Sequence, residues 1–158
     1  MDNVVALTKE GFEALQKKLK HLKEVERPKV IKAIADARAL GDLSENAEYH
    51  AAKERQGFLE TEIAKIEDIL ARAQVVDPKK FNDTKVRFGA WVTLFDEDKQ
   101  EEVRYQIVGE PEADIDNGKI SVTSPLARAL IGKEEGDEVT FKAPMGTRHF
   151  TIVSVEYK

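Results

Sequence analysis

Apolar residues in the first quarter of the chain recur at intervals of three and four, the spacing that places side chains on one face of an α-helix. Thr8 is a suitable N-cap for this helix. Pro28 interrupts the pattern, so it either kinks one helix or begins a new one. The apolar stripe before and after this proline comprises Phe12, Leu15, Leu19, Leu22, Ile31, Ile34 and Ala35.

A second helical pattern runs from about Leu43 to Gln74, and its positions alternate spacings of four and three, as in a coiled-coil seam. The seam consists of Ala52, Gln56, Leu59, Ile63, Ile66, Leu70 and Ala73. Acidic side chains on this helix can face basic ones on the first, and they are Glu60, Glu62, Glu67 and Asp68. The two helices are therefore predicted to form an antiparallel coiled-coil hairpin.

The segment between the two helical patterns, residues 41–46, is the predicted end of the hairpin, and we call it the acidic tip. Gly41 suits the left-handed conformation that ends many helices. Asp42 and Glu45 have the spacing of a capping box, in which both side chains accept hydrogen bonds from backbone N–H groups. The same carboxylates could instead be delivered as ligands to a metal ion in another molecule. Spacing alone favours capping and leaves both interpretations open.

Beyond Asp77 the apolar period changes to two, which is typical of β-strands. The predicted strands are Val86–Phe88, Trp91–Phe95, Val103–Val108, Lys119–Val122, Val139–Lys142 and Phe150–Val155. Polar turns are expected at residues 96–100 and 144–146. These short strands predict a mostly antiparallel sheet.

One short helix interrupts the strands. Ser124 is its expected N-cap, Leu126–Ile131 form it, and Gly132 ends it. The fold class is therefore α+β: a helical hairpin domain at residues 1–76 followed by a small α+β domain at residues 77–158.

Composition narrows the functional classes. The chain has 158 residues, no cysteine and a formal net charge of −5. Without cysteine it can form neither a disulfide nor a thiolate metal site, and a reducing cytoplasm is the expected compartment. The acidic charge disfavours a general nucleic-acid binder, but residues 9–32 carry eight Lys or Arg against four Glu, which suits one docking face. No apolar run approaches the roughly 20 residues that span a bilayer, and the N-terminus lacks a signal-peptide pattern, so no membrane partner is expected.

Three segments resemble the bacterial transcript cleavage factors of the Gre family. They are LTKEGFEALQKKL at 7–19, GDLSENAEYHAAKERQ at 41–56 and ISVTSPLARALIGKEEGDEV at 120–139. The resemblance extends over essentially the whole chain. It implies an N-terminal coiled-coil finger and a C-terminal domain with an FKBP-like fold.

The resemblance also implies a function. The C-terminal domain would dock at the rim of the secondary channel of RNA polymerase, and the finger would enter the channel and stimulate cleavage of the nascent RNA in a backtracked complex. The functional acids of the family's finger correspond to Asp42 and Glu45 in this chain. Its basic patch, which meets the RNA, corresponds to Arg38 and Lys53. Many relatives would carry arginine at the latter position; lysine keeps the charge but lacks the bidentate fork.

The chemistry agrees with the implied role. Mg²⁺ is typically held by one or two carboxylates together with substrate phosphates and water. Asp42 and Glu45 would thus supply half of a Mg²⁺ site shared with the polymerase active site, and no cofactor is expected in the free protein. The chain is expected to be a monomer when free and not an enzyme in its own right. Behind the tip, Tyr49 is expected to pack against the first helix more readily than to stack on an RNA base, and His50 lacks companions for a zinc site.

Several alternatives stay open. A channel-binding inhibitor of the same fold would block substrate entry without promoting cleavage. An FKBP-like domain suggests a prolyl isomerase, although the available aromatic residues also suit the core of a small sheet; they are Phe88, Trp91, Phe95, Tyr105, Phe141 and Phe150. A plain coiled-coil adaptor leaves the acidic tip unexplained. Arg38, Lys53 and Arg55 could form only a solvated face, paired with neighbours on their own helices.

Overall fold

The computed structural model describes residues 4–42 and 46–158, and the chain folds as two compact units. The helical unit comprises Phe12–Arg72. The strand-rich unit combines the segment that ends at Gly11 with Ala73–Lys158. This division differs from the boundary predicted after residue 76, because chain on both sides of the helical unit joins the strand-rich unit.

Two short strands account for the difference. β1 (Val5–Thr8) and β2 (Ala73–Val76) pair in parallel along their whole length. The coiled-coil spacing predicts a helix as far as Gln74, which is wrong, because the helix ends at Ala71 and the following residues pair with β1. Parallel strands need a long connection, so the two partners lie far apart in the chain. The local sequence of either strand therefore does not indicate its partner.

Three α-helices lie in the described residues of the helical unit and of the segment that leads into it. They are α1 (Lys9–His21), α2 (Arg27–Arg38) and α3 (Ala47–Ala71). A π-helical turn, Leu22–Glu26, joins α1 directly to α2. Pro28 is the second residue of α2, where a regular helix would set its ring against the carbonyl four residues earlier. The wider turn before it accommodates the proline without ending the helical path.

The core between α2 and α3 lies on a different stripe from the predicted one. Ile34 is buried, as predicted, but its buried neighbours on α2 are Val30 and Ala37. Ile31 is 53% exposed, so the predicted stripe through Ile31 and Ala35 is wrong. On α3 three of the predicted seam positions are buried, and they are Ala52, Ile63 and Ile66. The small Ala37 and Ala52 allow the two helices to approach closely near the tip.

Ion pairs cross between the helices, as predicted for Glu60, Glu62 and Glu67. The pairs are Arg27–Glu60 at 2.7 Å, Lys18–Glu62 at 2.8 Å and Lys23–Glu67 at 2.6 Å. Asp68 is an exception, because it pairs at 2.8 Å with Arg72, the residue that directly follows its own helix. The hydrogen bond from Arg27 lowers the pKa of Glu60 and raises the pKa of Arg27 itself. Exposed pairs of this kind fix the register of the helices more than their stability.

The strand-rich unit contains a five-stranded sheet in the order β5-β4-β3-β7-β6. Its strands are β3 (Trp91–Asp96), β4 (Glu101–Val108), β5 (Lys119–Ser121), β6 (Glu138–Ala143) and β7 (Gly146–Glu156). Neighbours are antiparallel except for β4 and β5, which run in parallel. Five of the six predicted strands are therefore confirmed.

The sixth predicted strand, Val86–Phe88, is wrong. Val86 and Arg87 belong to no strand, Phe88 lies in a turn, and the adjacent Lys85 forms an isolated bridge with Glu134. Gly89, with φ of 90°, then turns the chain into β3. Val86 is only 1% exposed, so its hydrophobic character reflects burial in the core and not a place in the sheet.

The predicted short helix is confirmed as α4 (Pro125–Leu130), which packs on the sheet through buried Ala127 and Leu130. The Ser124 hydroxyl accepts a hydrogen bond from the Ala127 N–H at 3.3 Å, the predicted N-cap. The α+β class, with an N-terminal helical hairpin and a C-terminal sheet domain, is confirmed. Within the described ranges, no helix is long and apolar enough to cross a membrane.

Candidate functional site

The first side of the acidic tip forms where α2 ends. The Leu40 N–H bonds to the Ala37 carbonyl at 3.1 Å, and the Gly41 N–H bonds to the Arg38 carbonyl at 3.2 Å. Gly41 has φ of 109°, so the predicted positive φ is confirmed. Asp42 follows directly and is exposed to solvent.

The second predicted acid, Glu45, lies outside the described residues, together with Leu43 and Ser44. The structure therefore describes Asp42 and the start of α3. The prediction that both carboxylates bind one metal ion is based on the sequence alone. The family correspondence of both acids stays a prediction.

Asn46 is the N-cap of α3. Its backbone is extended, and its side-chain Oδ1 accepts a hydrogen bond from the Tyr49 N–H at 3.0 Å. The interpretation of Asp42 as the N-cap is therefore wrong, because the helix begins at Ala47 and Asp42 lies four residues before its actual cap. Asparagine is as favourable an N-cap as aspartate, so the signal was present in the sequence. Asp42 and Asn46 are both suitable N-caps, and the sequence alone does not show after which of them α3 begins.

The same asparagine reaches back to the preceding helix. Its Nδ2 donates to the carbonyl of Ala37 at 2.6 Å, nine residues earlier. One amide group thus joins the last turn of α2 to the first turn of α3. No sequence pattern indicates this contact, because the two groups lie nine residues apart and meet only in the folded chain.

Tyr49 and Arg38 lie next to this junction. Tyr49 is half-buried and packs against the small core of Val30, Ile34 and Ala52, so the predicted packing role is confirmed. The guanidinium carbon of Arg38 lies 6.0 Å from the centroid of the Tyr49 ring, at the outer limit of a cation–π contact. The Tyr49 ring therefore lies beside the charged group that was predicted to contact RNA.

A groove runs along the surface between α2 and α3, and we call it the cationic groove. Its volume is about 410 Å³, and it is lined by Ile31, Ile34, Ala35, Arg38, Lys53 and Gln56. Both predicted RNA-binding residues line it, Arg38 from α2 and Lys53 from α3. The Lys53 ammonium donates to Gln56 Oε1 at 3.1 Å. Neither cation forms an ion pair with a carboxylate of residues 4–42 or 46–158, so their positive charge is not neutralised within that part of the chain.

Ile31 and Ala35, the two residues of the predicted stripe on α2 that are not buried between α2 and α3, line the groove. They form an aliphatic wall next to the two cations. Arg55, which the sequence groups with Arg38 and Lys53, does not line the groove. The arrangement can hold an anion beside an apolar planar group, because it places cationic donors next to aliphatic surface.

Most of the aromatic residues considered for an isomerase site contribute to the core of the sheet. Phe150 is buried there, and Phe88, Tyr105 and Phe141 pack against the same core. Phe141 and Phe150 are stacked, with ring centroids 5.9 Å apart. Trp91 instead holds the Arg104 guanidinium 4.5 Å from its ring centroid.

Comparison with known proteins covers both units. The family model described as transcription elongation factor, N-terminal, matches residues 5–75, and the model described as transcription elongation factor, GreA/GreB, C-term, matches residues 81–157. The transcription elongation factor GreA of Phenylobacterium zucineum is 61% identical over 153 residues, 97% of this chain and 98% of that protein. GreA of Hyphomonas neptunium is 59% identical over 154 residues, with 98% of each chain covered. The crystal structure of GreA factor homolog 1 (Gfh1) of Thermus thermophilus is 30% identical, covers 98% of this chain and 99% of its own, and has a TM-score of 0.45.

Proposed function

Because this chain belongs to the GreA/GreB family of transcription elongation factors, we propose that it binds RNA polymerase through the secondary channel and stimulates the polymerase to cleave nascent RNA. The substrate is the RNA of a backtracked complex, whose 3′ end has left the active site. The helical hairpin enters the channel, and the strand-rich unit holds the factor at the rim. In this proposal the polymerase performs the hydrolysis, and the factor contributes carboxylates to its active site.

The dimensions of the hairpin support entry into a channel. α3 contains 25 residues, which corresponds to a length of roughly 37 Å. Two packed helices are far narrower than a globular domain, so their tip can reach a buried site. The acidic tip is the part of the hairpin that arrives first.

The residues at the tip suit a hard divalent cation. Asp42 is an exposed residue that carries a carboxylate, the donor type that Mg²⁺ prefers, and Glu45 adds a second carboxylate three residues later in the sequence. When bound, Mg²⁺ supplies an activated water and charge stabilisation at the scissile phosphate. Two carboxylates make an incomplete ligand set, so the remaining ligands come from the polymerase and the RNA. For this reason the free protein is expected to hold the ion poorly and to have no nuclease activity.

The cationic groove supports contact with the displaced RNA strand. Arg38 and Lys53 present their charges on one surface, where phosphate oxygens can accept their hydrogen bonds. Ile31 and Ala35 offer aliphatic surface to the face of an unstacked base. The groove thus holds the strand through its backbone, while the carboxylates act further toward the tip.

One observation carries the cleavage part of the proposal: Asn46, and not Asp42, caps α3. The capping role that competed with metal binding for Asp42 is therefore taken by another residue. The test is to add the protein to a stalled, backtracked complex with RNA labelled at its 3′ end. Release of short labelled fragments supports the proposal. Inhibition of elongation without fragments would favour the channel-blocking alternative.

A further inference from the structure

We propose that Asn46 is a positioning residue for the cleavage reaction, because its side chain joins the end of α2 to the start of α3, the two helices that flank the acidic tip in the sequence. This inference rests on the function proposed above. Asn46 touches neither RNA nor metal in this scheme. It acts through Asp42 and Glu45, which lie between these two helices in the sequence.

The side-chain amide of Asn46 makes two hydrogen bonds, one to each helix. The last carbonyls of a helix and the first N–H groups of the next have no partners within their own helices. Asn46 Nδ2 donates to the Ala37 carbonyl at 2.6 Å, and Oδ1 accepts from the Tyr49 N–H at 3.0 Å. The two bonds require opposite ends of the same amide, so they fix its orientation. We call the bond to Ala37 the clasp and the bond to Tyr49 the cap.

The clasp lies where it can control the acids. Ala37 is 2% exposed and belongs to the core between the helices, so its carbonyl is a fixed anchor. Asp42 lies four residues before Asn46, and Glu45 directly precedes it. Loss of the clasp would free the C-terminal end of the loop from α2. The two carboxylates would then share fewer conformations in which both can bind one ion.

Asparagine is the side chain that suits both hydrogen bonds. Serine and aspartate are good N-caps, but aspartate has no donor and the shorter serine does not extend to a carbonyl across the loop. Alanine provides neither bond. Asn46→Ser therefore keeps the cap and removes the clasp, whereas Asn46→Ala removes both. Asn46→Asp is unsuitable as the main test, since it adds a third carboxylate beside the two tip acids.

The first experiment measures the clasp in the free, full-length protein. Backbone hydrogen exchange followed by NMR reports the amides of Leu40 and Gly41, which bond to the last turn of α2, and the amide of Tyr49, which receives the cap. In Asn46→Ser, exchange at Leu40 and Gly41 should accelerate about fivefold, the effect of one net hydrogen bond, while Tyr49 stays protected. In Asn46→Ala all three amides should exchange faster. Unchanged exchange at Leu40 and Gly41 in Asn46→Ser would overturn the clasp.

The second experiment measures function with the backtracked complex. Cleavage rate is recorded against factor concentration and against Mg²⁺ concentration for the parent, Asn46→Ser and a matched control, Asn82→Ser, which changes an exposed asparagine of the strand-rich unit. Asn46→Ser should lower the maximal rate at least about tenfold, as expected for misplaced catalytic groups. It should also raise the Mg²⁺ requirement, while the concentration for half-maximal binding and the helix content stay parental.

The outcomes separate the two proposals. A parent protein that releases no RNA fragments would refute the cleavage function and, with it, the positioning role. A parent that cleaves, with Asn46→Ser matching it in rate and Mg²⁺ dependence, would refute the positioning role alone. A loss of polymerase binding in Asn46→Ser with an unchanged Mg²⁺ requirement would also count against it, because the acids would then not be what the asparagine positions.

Discussion

The carboxylate of Glu112 accepts hydrogen bonds from both the backbone N–H and the hydroxyl of Thr8, more than a hundred residues earlier in the chain. The N–H bond measures 2.9 Å, and the same carboxylate also accepts from the Gly109 N–H at 2.9 Å. The Thr8 hydroxyl in turn accepts from the Gly11 N–H at 3.1 Å, which confirms Thr8 as the predicted N-cap of α1. Glu112 thereby ties β1 and the first turn of α1 into the strand-rich unit.

Removal of this carboxylate should destabilise the strand-rich unit. Glu112→Ala leaves the partly buried N–H groups of Thr8 and Gly109 without a protein acceptor, at a cost of about 1–3 kcal/mol for each group that water does not reach. Urea unfolding followed by circular dichroism measures the loss. Glu101→Ala, at an exposed position on β4, is the matched control and should change the midpoint little. Equal midpoints for the two variants would show that Glu112 is not an anchor.

Replacement of the helical unit by a linker tests whether the strand-rich unit folds and binds polymerase without it. A protein in which Phe12–Arg72 is replaced by a flexible Gly-Ser linker of about ten residues should fold and bind polymerase, because β1 and β2 can still pair. It should be more stable to urea than residues 77–158 alone, which lack both strands. If the two proteins unfold at the same midpoint, β1 and β2 contribute nothing to the unit.

Neutral substitutions of the tip acids should distinguish a role in metal binding from a role in capping α3. Asn46 caps α3, so Asp42→Asn should leave the helix content unchanged by circular dichroism. Asp42→Asn and Glu45→Gln each remove a charged ligand from a site for a hard cation, so stimulated cleavage should fall by at least about tenfold and recover in part at higher Mg²⁺. Polymerase binding should remain parental. Cleavage at the parental rate by both variants would leave the acids without a metal-binding role.

Substitutions in the cationic groove should change how RNA binding responds to salt. Arg38→Gln and Lys53→Gln each remove one cation, so each should lower the slope of log affinity against log salt by about one for RNA held in the backtracked complex. Lys53→Arg restores the charge with a bidentate fork and should bind at least as well as the parent. Lys32→Gln, on α2 but outside the groove, is the control. A control with the same slope change would show that the contact is not specific to the groove.

The turn between β3 and β4 should make the strand-rich unit sensitive to acid. The His149 backbone N–H, followed by the His149 side chain and Arg148, holds the pKa of Asp98 below its usual range. A carboxylate with a lowered folded pKa stabilises above its unfolded pKa, and this contribution is lost as pH falls through the folded value. Urea midpoints measured from pH 6 down to about pH 3 should therefore fall less steeply for Asp98→Asn than for the parent. Asp116→Asn, at another exposed turn, should follow the parental curve; if Asp98→Asn follows it as well, the turn does not contribute.

Much of this protein follows from sequence because the relevant interactions are local. Helical spacing predicts the hairpin, a period of two predicts five of the sheet strands, and Ser124 before Pro125 predicts the start of α4. Each of these depends on residues within one or two turns of one another. The resemblance to the Gre family, which the comparisons confirm, also lies in continuous segments of sequence.

The tertiary structure decided the features that join distant segments. β1 and β2 pair although the whole helical unit separates them in the chain, so neither carries a local sign of its partner. The choice of Asn46 over Asp42 as a cap depends on where the loop meets Ala37. Arg38 and Lys53 share one groove because α2 packs through Val30, Ile34 and Ala37 and leaves Ile31 outside. Packing between elements determines which face of each helix is buried, and the sequence of a single helix does not contain that information.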